Sequence, residues 1–258
     1  LFVLKVNKNG ELDLNVKEIK NADVIMATAA HNESGIIIDW QKIIDQAPSD
    51  AILMADAAQT VARVEPLPKR VDIIVCSAHK MGAFAGAGAV LLRNNGKKLA
   101  APWMGGGQEG GLRPGSEAVA IIAAMGACAN NIDSTRKKHK ELLVIRNKIE
   151  KKLLKAWPSA QIIGQNSPRL ANTFAITLNN VDGEALRIAT HSNGLCVGFG
   201  SACSAMAPEP STALLALGLN TKQARSTLRI SLPPAISDSD VDFAINKLIE
   251  VVSGLSGV

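Results

Sequence analysis

Short apolar runs punctuate the first part of the chain: LFVLKV, DVIMATAA, ILMADAA, VDIIVCSA and AVLLRN. Each is rich in aliphatic and β-branched residues, too brief for a three-turn helix and bounded by polar or small residues, so each predicts a strand. Hydrophobicity inside them is continuous rather than alternating. That pattern predicts strands buried on both faces, the habit of a mostly parallel sheet in an α/β domain. Between the second and third runs, IIIDWQKIIDQA (36–47) predicts a helix. Ligands of such sheets gather beyond the carboxyl ends of strands, and the polar clusters obey that rule: HNESG follows the second run, Asp56 and Gln59 close the third, and SAHK closes the fourth.

From about residue 117 the pattern turns to long helices. The segment RKKHKELLVIRNKIEKKLLK (136–155) repeats apolar residues at Leu142, Ile145, Ile149 and Leu153, which predicts a helix with one core face and one wet, basic face. After Pro158 a second unit begins with the strand TFAITLNN, followed by a helix over DGEALRIATHSNG, the strand LCVGF, a helix STALLALG and the strand STLRISL. A closing helix (238–253) is announced by Ser237 with Asp240 three residues on, the signature of a capping box. The chain therefore divides into a large α/β domain over 1–137 and a smaller α+β domain over 138–258. No internal repeat and no low-complexity tract interrupts it.

Composition narrows the function classes. With 47% hydrophobic and 20% charged residues in 258, the chain reads as globular and soluble. The net charge of +5 is concentrated in the basic helix, and only 3% of residues are aromatic, with no tyrosine, which argues against nucleic-acid binding. The longest apolar stretch, AVAIIAAMGACA (118–129), is shorter than the about 20 residues that span a bilayer, so no membrane role is expected. Cys76, Cys128, Cys196 and Cys203 form no CxxC pair and lack histidines at zinc spacing, which argues against a disulfide framework and a metal site and for a reducing, cytoplasmic compartment. Cys76, Cys128 and Cys196 fall in apolar segments and read as core. Cys203 lies among small residues in FGSACSAMAPEPS, without strand or helix pattern, and reads as a thiol on a surface loop. The chain begins with Leu1 inside an apparent strand, which reads as a fragment. GAFAGAGAV lacks the spacing of a nucleotide loop.

A lysine at the mouth of a buried strand loses water unless something there wants an amine. Lys80 stands in that position, with Asp56 and Gln59 at the end of a neighbouring strand and Ser77 and His79 just before it. A pyridoxal phosphate site wants this set: an amine to bond the cofactor aldehyde, a carboxylate for the ring nitrogen, and hydroxyl or imidazole donors for the phosphate. The same residues also suit a strand-end cluster that satisfies itself.

VDIIVCSAHK, ILMADAAQ, AHNESG, GGGQEGGLRPGSE and GFGSACSAMAPEPS, in this order and spacing, resemble the cysteine desulfurases, pyridoxal-phosphate (PLP) enzymes of the class V aminotransferase superfamily. The resemblance covers nearly the whole chain. It implies the type I fold of PLP-dependent transferases, with 1–137 as the second half of the large domain and 138–258 as the small domain carrying the cysteine loop. It implies that Lys80 bonds the cofactor, Asp56 faces its ring nitrogen, Gln59 donates to its ring hydroxyl, and Ser77 and His79 hold its phosphate. Asn32 resembles the asparagine that touches cofactor and substrate, and His31 stands where the family usually has another asparagine. Ser116 matches a residue that reaches the phosphate of a neighbouring subunit, which implies a homodimer with shared sites. Gly110 replaces an arginine common in that motif. Arg229 matches the arginine that holds the substrate carboxylate, and Pro233 and Pro234 stand where the family usually has glycine and arginine.

The implied reaction converts L-cysteine to L-alanine. Lys80 removes the α-proton, and Cys203 takes the sulfur as a persulfide for an iron-sulfur scaffold or another sulfur acceptor. Two alternatives stay open. Another class V enzyme, an aminotransferase or selenocysteine lyase, needs Lys80 and Asp56 but not Cys203, and a degenerate homologue serves only as an assembly partner.

Overall fold

The computed structural model describes residues 1–93, 99–200 and 209–255. The chain divides into two compact units that are not consecutive in sequence: Val16–Ala29 with Trp40–Arg136, and Leu1–Asn15 with Ala30–Asp39 and Lys137–Val258.

The first unit opens with a single helical turn, α1 (Lys17–Lys20), then β1 (Val24–Thr28), α2 (Trp40–Gln46), β2 (Ile52–Asp56), β3 (Ile73–Ser77) and β4 (Gly88–Leu92). Its sheet has the order β1-β2-β3-β4, with β1/β2 and β2/β3 parallel and β3/β4 antiparallel. The mostly parallel sheet expected from the continuous apolar runs is present. Burial on both faces is not uniform, however. Leu53, Ile73 and Ile74 are buried, whereas Val24 and Met26 on β1 and Val90, Leu91 and Leu92 on β4 are exposed in the described chain. The register sets Asp56 beside Thr28 on one side and Val75 on the other, so the polar ends of β1, β2 and β3 lie together. The amino ends of β2 and β3 are pinned by Asp72, a buried carboxylate that accepts the Leu53 amide at 2.9 Å and the Arg70 guanidinium at 2.8 Å. The helices α3 (Val119–Asn130) and α4 (Ile132–Ala156) follow the sheet.

The second unit carries β5 (Gln161–Ile162), β6 (Thr173–Thr177), α5 (Gly183–Ser192), β7 (Gly198–Phe199), α6 (Thr212–Ala216), α7 (Thr221–Arg225), β8 (Thr227–Ser231) and α8 (Asp238–Leu255). Its sheet, in the order β5-β6-β8-β7, is antiparallel throughout. Every residue of β6 is buried because both faces are covered. Alternation assigns Phe174 and Ile176 to a core with Leu142, Ile149, Leu186 and Leu248, while Ala175 meets Ile36, Ile163 and Leu214 on the other side. Burying one large aliphatic or aromatic side chain is worth about 1.5–3 kcal/mol, so a strand covered on both faces anchors its unit.

Helix α4 buries Leu142, Ile149 and Leu153, with Ile145 partly buried, which is the face expected from its spacing. Ser237 caps α8 by accepting the Asp240 amide at 3.1 Å. Three expectations are corrected. LFVLKV forms no strand: Leu1, Phe2 and Val3 are exposed, and only Val6 makes an isolated bridge, to Leu12. LCVGF shrinks to the two residues of β7 at the edge of its sheet, and Cys196 is exposed instead of core. Cys128 is only half-buried, because α3 buries none of its residues fully.

Candidate functional site

The chain leaves β3 at Ser77 and enters a 3-10 turn, Ala78–Met81. Three residues per turn stack positions i and i+3. Ala78 and Met81 are accordingly both buried, while His79 is exposed and Lys80 half-buried. Gly82, at φ 98°, ends the turn in a left-handed conformation that glycine adopts without steric cost. Ser77 Oγ lies 2.8 Å from His79 Nδ1, so a hydroxyl and an imidazole stand side by side at the strand end.

On the adjacent parallel strand, Asp56 ends β2. Its Oδ1 accepts the Ala58 amide at 2.9 Å, which turns the chain away from the sheet. Asp56, the last residue of its strand, is exposed. Gln59 follows in a run of turns and is half-buried. Arg63, which belongs to none of the sequence motifs, donates to the Gln59 carbonyl at 3.2 Å, to Gln59 Oε1, and to the Lys80 carbonyl at 3.5 Å. Burial lowers the pKa of Arg63 from its ordinary value. Its i+4 spacing from Gln59 is a signal the sequence carries; its link to Lys80, 17 residues on, has none.

Ser116 lies in the same unit, exposed, at the end of the glycine-rich segment 105–117. Arg113 gathers the carbonyls of Pro114, Gly115 and Ser116 at 3.4, 3.3 and 3.2 Å. Gly110, where the motif commonly has arginine, sits at φ 65°, between Glu109 at 52° and Gly111 at 83°.

The second unit holds His31, Asn32 and Arg229. The loop HNESG is closed by the His31 amide donating to the Ile36 carbonyl at 2.8 Å and the Gly35 amide to the His31 carbonyl at 2.9 Å. The Ser34 amide donates to His31 Nδ1 at 3.2 Å, so the neutral ring carries its proton on Nε2. Burial lowers the His31 pKa, and Glu33 opposes that effect. Asn32 is half-buried. Arg229, on β8, is half-buried, pairs across the sheet with Ala175 and Gly198, and donates to the Gly200 carbonyl at 3.3 Å. Cys203 lies outside the described residues.

Within the first unit, then, the structure brings Asp56, Gln59, Ser77, His79 and Lys80 to the carboxyl ends of two adjacent strands. The donor set fits PLP: an amine, a carboxylate on the neighbouring strand, and a hydroxyl and imidazole within hydrogen-bond distance of one another.

The family model for class-V aminotransferases matches residues 1–243. A cysteine desulfurase of Nostoc sp. is 32% identical over 98% of this chain and 64% of its own length. The cysteine desulfurase NifS of Azotobacter vinelandii is 30% identical over 99% of this chain and 65% of its own length. The chain thus spans somewhat under two thirds of these relatives. Among solved structures, a NifS-like protein from Rickettsia africae superposes with a TM-score of 0.85 at 29% identity, covering 99% of this chain and 69% of that one. The fold class expected from the sequence agrees with this likeness.

Proposed function

Because the chain belongs to the class-V aminotransferase family, we propose that the protein is a PLP-dependent cysteine desulfurase that converts L-cysteine to L-alanine. The observation that carries this reading is the meeting of Lys80, the Ser77–His79 pair and Asp56 at the ends of adjacent parallel strands. Lys80 would bond the cofactor aldehyde, Ser77 and His79 would hold its phosphate, Asp56 would keep its ring nitrogen protonated, and Gln59 would donate to its ring hydroxyl. When bound, the cofactor supplies a sink for the electron pair left at the substrate α-carbon. Asn32 and Arg229 orient the substrate, Arg229 through a two-pronged hold on its carboxylate. The Lys80 amine, once free of the aldehyde, takes the α-proton.

Cys203, as thiolate, attacks the substrate sulfur. A sulfur–sulfur bond forms, the carbon–sulfur bond breaks with its electron pair left on the β-carbon, and protonation there together with return of a proton to the α-carbon yields alanine. The persulfide passes to a sulfur-acceptor protein such as an iron-sulfur scaffold. The domain division at 137/138, a homodimer in which Ser116 reaches the partner's phosphate, and a cytoplasmic location belong to the same proposal. No helix among the described residues is long and apolar enough to cross a membrane.

Borohydride reduction of the PLP-loaded protein and peptide mapping test the anchor: the pyridoxyl tag is expected on Lys80, and a tag on any other residue overturns the reading. Cys203→Ser is expected to keep the cofactor band and abolish persulfide formation. Unchanged alanine release in that variant would favour another class V reaction.

A further inference from the structure

Arg63 has three hydrogen bonds and no role in the reaction as described. Its guanidinium has only donors, so the Gln59 atom that faces it must be the amide oxygen, as found. The Gln59 NH2 group is thereby turned away from Arg63. The other terminal nitrogen of Arg63 reaches the carbonyl of Lys80, so one side chain joins the turn after β2 to the turn after β3. Arg63 Nε is buried and has no hydrogen-bond partner among the described residues. The guanidinium therefore acts through its two ends. The run of turns that carries Gln59 is held from a second side, where Arg136 donates to the Val61 carbonyl at 3.2 and 2.9 Å.

We propose that Arg63 is a positioning residue: it fixes the Gln59 amide with its NH2 group available as donor to the cofactor ring hydroxyl, and it holds the backbone of Lys80 beside it. An amide free to flip presents its oxygen to that hydroxyl as readily as its NH2 group; one bound to a guanidinium does not. The inference rests on the PLP reading above.

The test is a double-mutant cycle on the PLP-loaded protein, using Arg63→Met, Gln59→Ala and the pair, read by the PLP dissociation constant and by the pH midpoint of the cofactor's visible band. Losing one ligand hydrogen bond weakens binding about tenfold, so each single variant is expected to raise the dissociation constant by about that factor and the pair to raise it no further. The midpoint is expected to rise in all three, because the donor no longer draws charge from the ring oxygen. Arg63→Lys, which keeps a donor, is expected to recover most of the affinity. Gln59→Glu keeps a partner for Arg63 but offers no N–H, and is expected to lose at least as much affinity as Gln59→Ala; it serves as the reading if Arg63→Met does not fold. Wild-type affinity in Arg63→Met, or additive effects in the cycle, overturns the inference alone; wild-type affinity in Gln59→Glu overturns it together with the Gln59 role above. A wild-type protein with no visible band in excess PLP overturns the parent reading and this one with it.

Discussion

Arg229 lies with its guanidinium over the backbone of Gly198, its cross-strand partner on β7. A Cβ at that glycine would stand 2.9 Å from both Nε and a terminal nitrogen of Arg229. The far end of an arginine moves easily, so Gly198→Ala displaces the guanidinium at little cost to folding. With Arg229 as the carboxylate holder, we expect a KM for L-cysteine raised roughly tenfold or more with a melting temperature close to wild type, since small displacements of a positioning group are costly to the reaction. Steady-state kinetics beside a thermal melt checks both halves.

Glu150 sits between two guanidinium groups. It receives Arg169 at 2.6 and 3.0 Å and lies 3.5 Å from Arg146, and all three side chains are nearly inaccessible. Arg146 in turn donates to the carbonyls of Arg169 and Leu170, which ties α4 to the segment before β6. Glu150→Ala leaves two buried cations without their anion, and breaking a buried pair in this way costs on the order of 3–5 kcal/mol. Urea denaturation is expected to show a loss of that size, and a change below about 1 kcal/mol would mean that water replaces the carboxylate.

The legible parts of the fold are those whose burial is decided locally. Phe174 and Ile176 alternate with Ala175 on a strand covered on both sides, and Leu142, Ile149 and Leu153 recur at helical spacing, so neighbours in sequence announce their neighbours in space. LFVLKV has the same composition as a strand but pairs only through Val6, and pairing is a property of the partner, which no local pattern records. Cys196 has the apolar neighbours of a core residue, yet it sits beside a two-residue edge strand, where one face stays open. At the candidate site, Lys80, Ser77 and His79 are legible because they lie within four consecutive residues. Arg63 is not, because its meaning lies in reaching two turns that come from different strands.

His31 gives the loop HNESG a pH dependence. Its pKa is lowered by burial below 6.5, against the pull of Glu33. The folded protein therefore binds fewer protons at this ring than the unfolded chain does as the pH drops past that value. Stability tied to the neutral ring is complete above the unfolded pKa and is lost as pH falls through the folded one. Protonating Nδ1 would also oppose the donated Ser34 amide. Urea midpoints measured near pH ~7.5 and ~5.5 are expected to fall further in wild type than in His31→Asn, which cannot titrate. Equal losses in the two proteins would assign the acid sensitivity elsewhere.

Asp56 allows the fold and the chemistry to be separated by a single substitution. Its carboxylate both accepts the Ala58 amide and, in the proposed reaction, keeps the cofactor ring nitrogen protonated. An asparagine in its place would retain an oxygen for Ala58, since that side chain makes the same turn, but carries no charge with which to hold the proton. Asp56→Asn is therefore expected to melt close to wild type and still to take up PLP, while alanine formation falls on the order of 10²-fold or more. Thermal melts, the cofactor absorption band and an alanine assay on the same preparation check the three parts of that contrast together, and a variant that loses its melt along with its activity would make Asp56 a turn residue first.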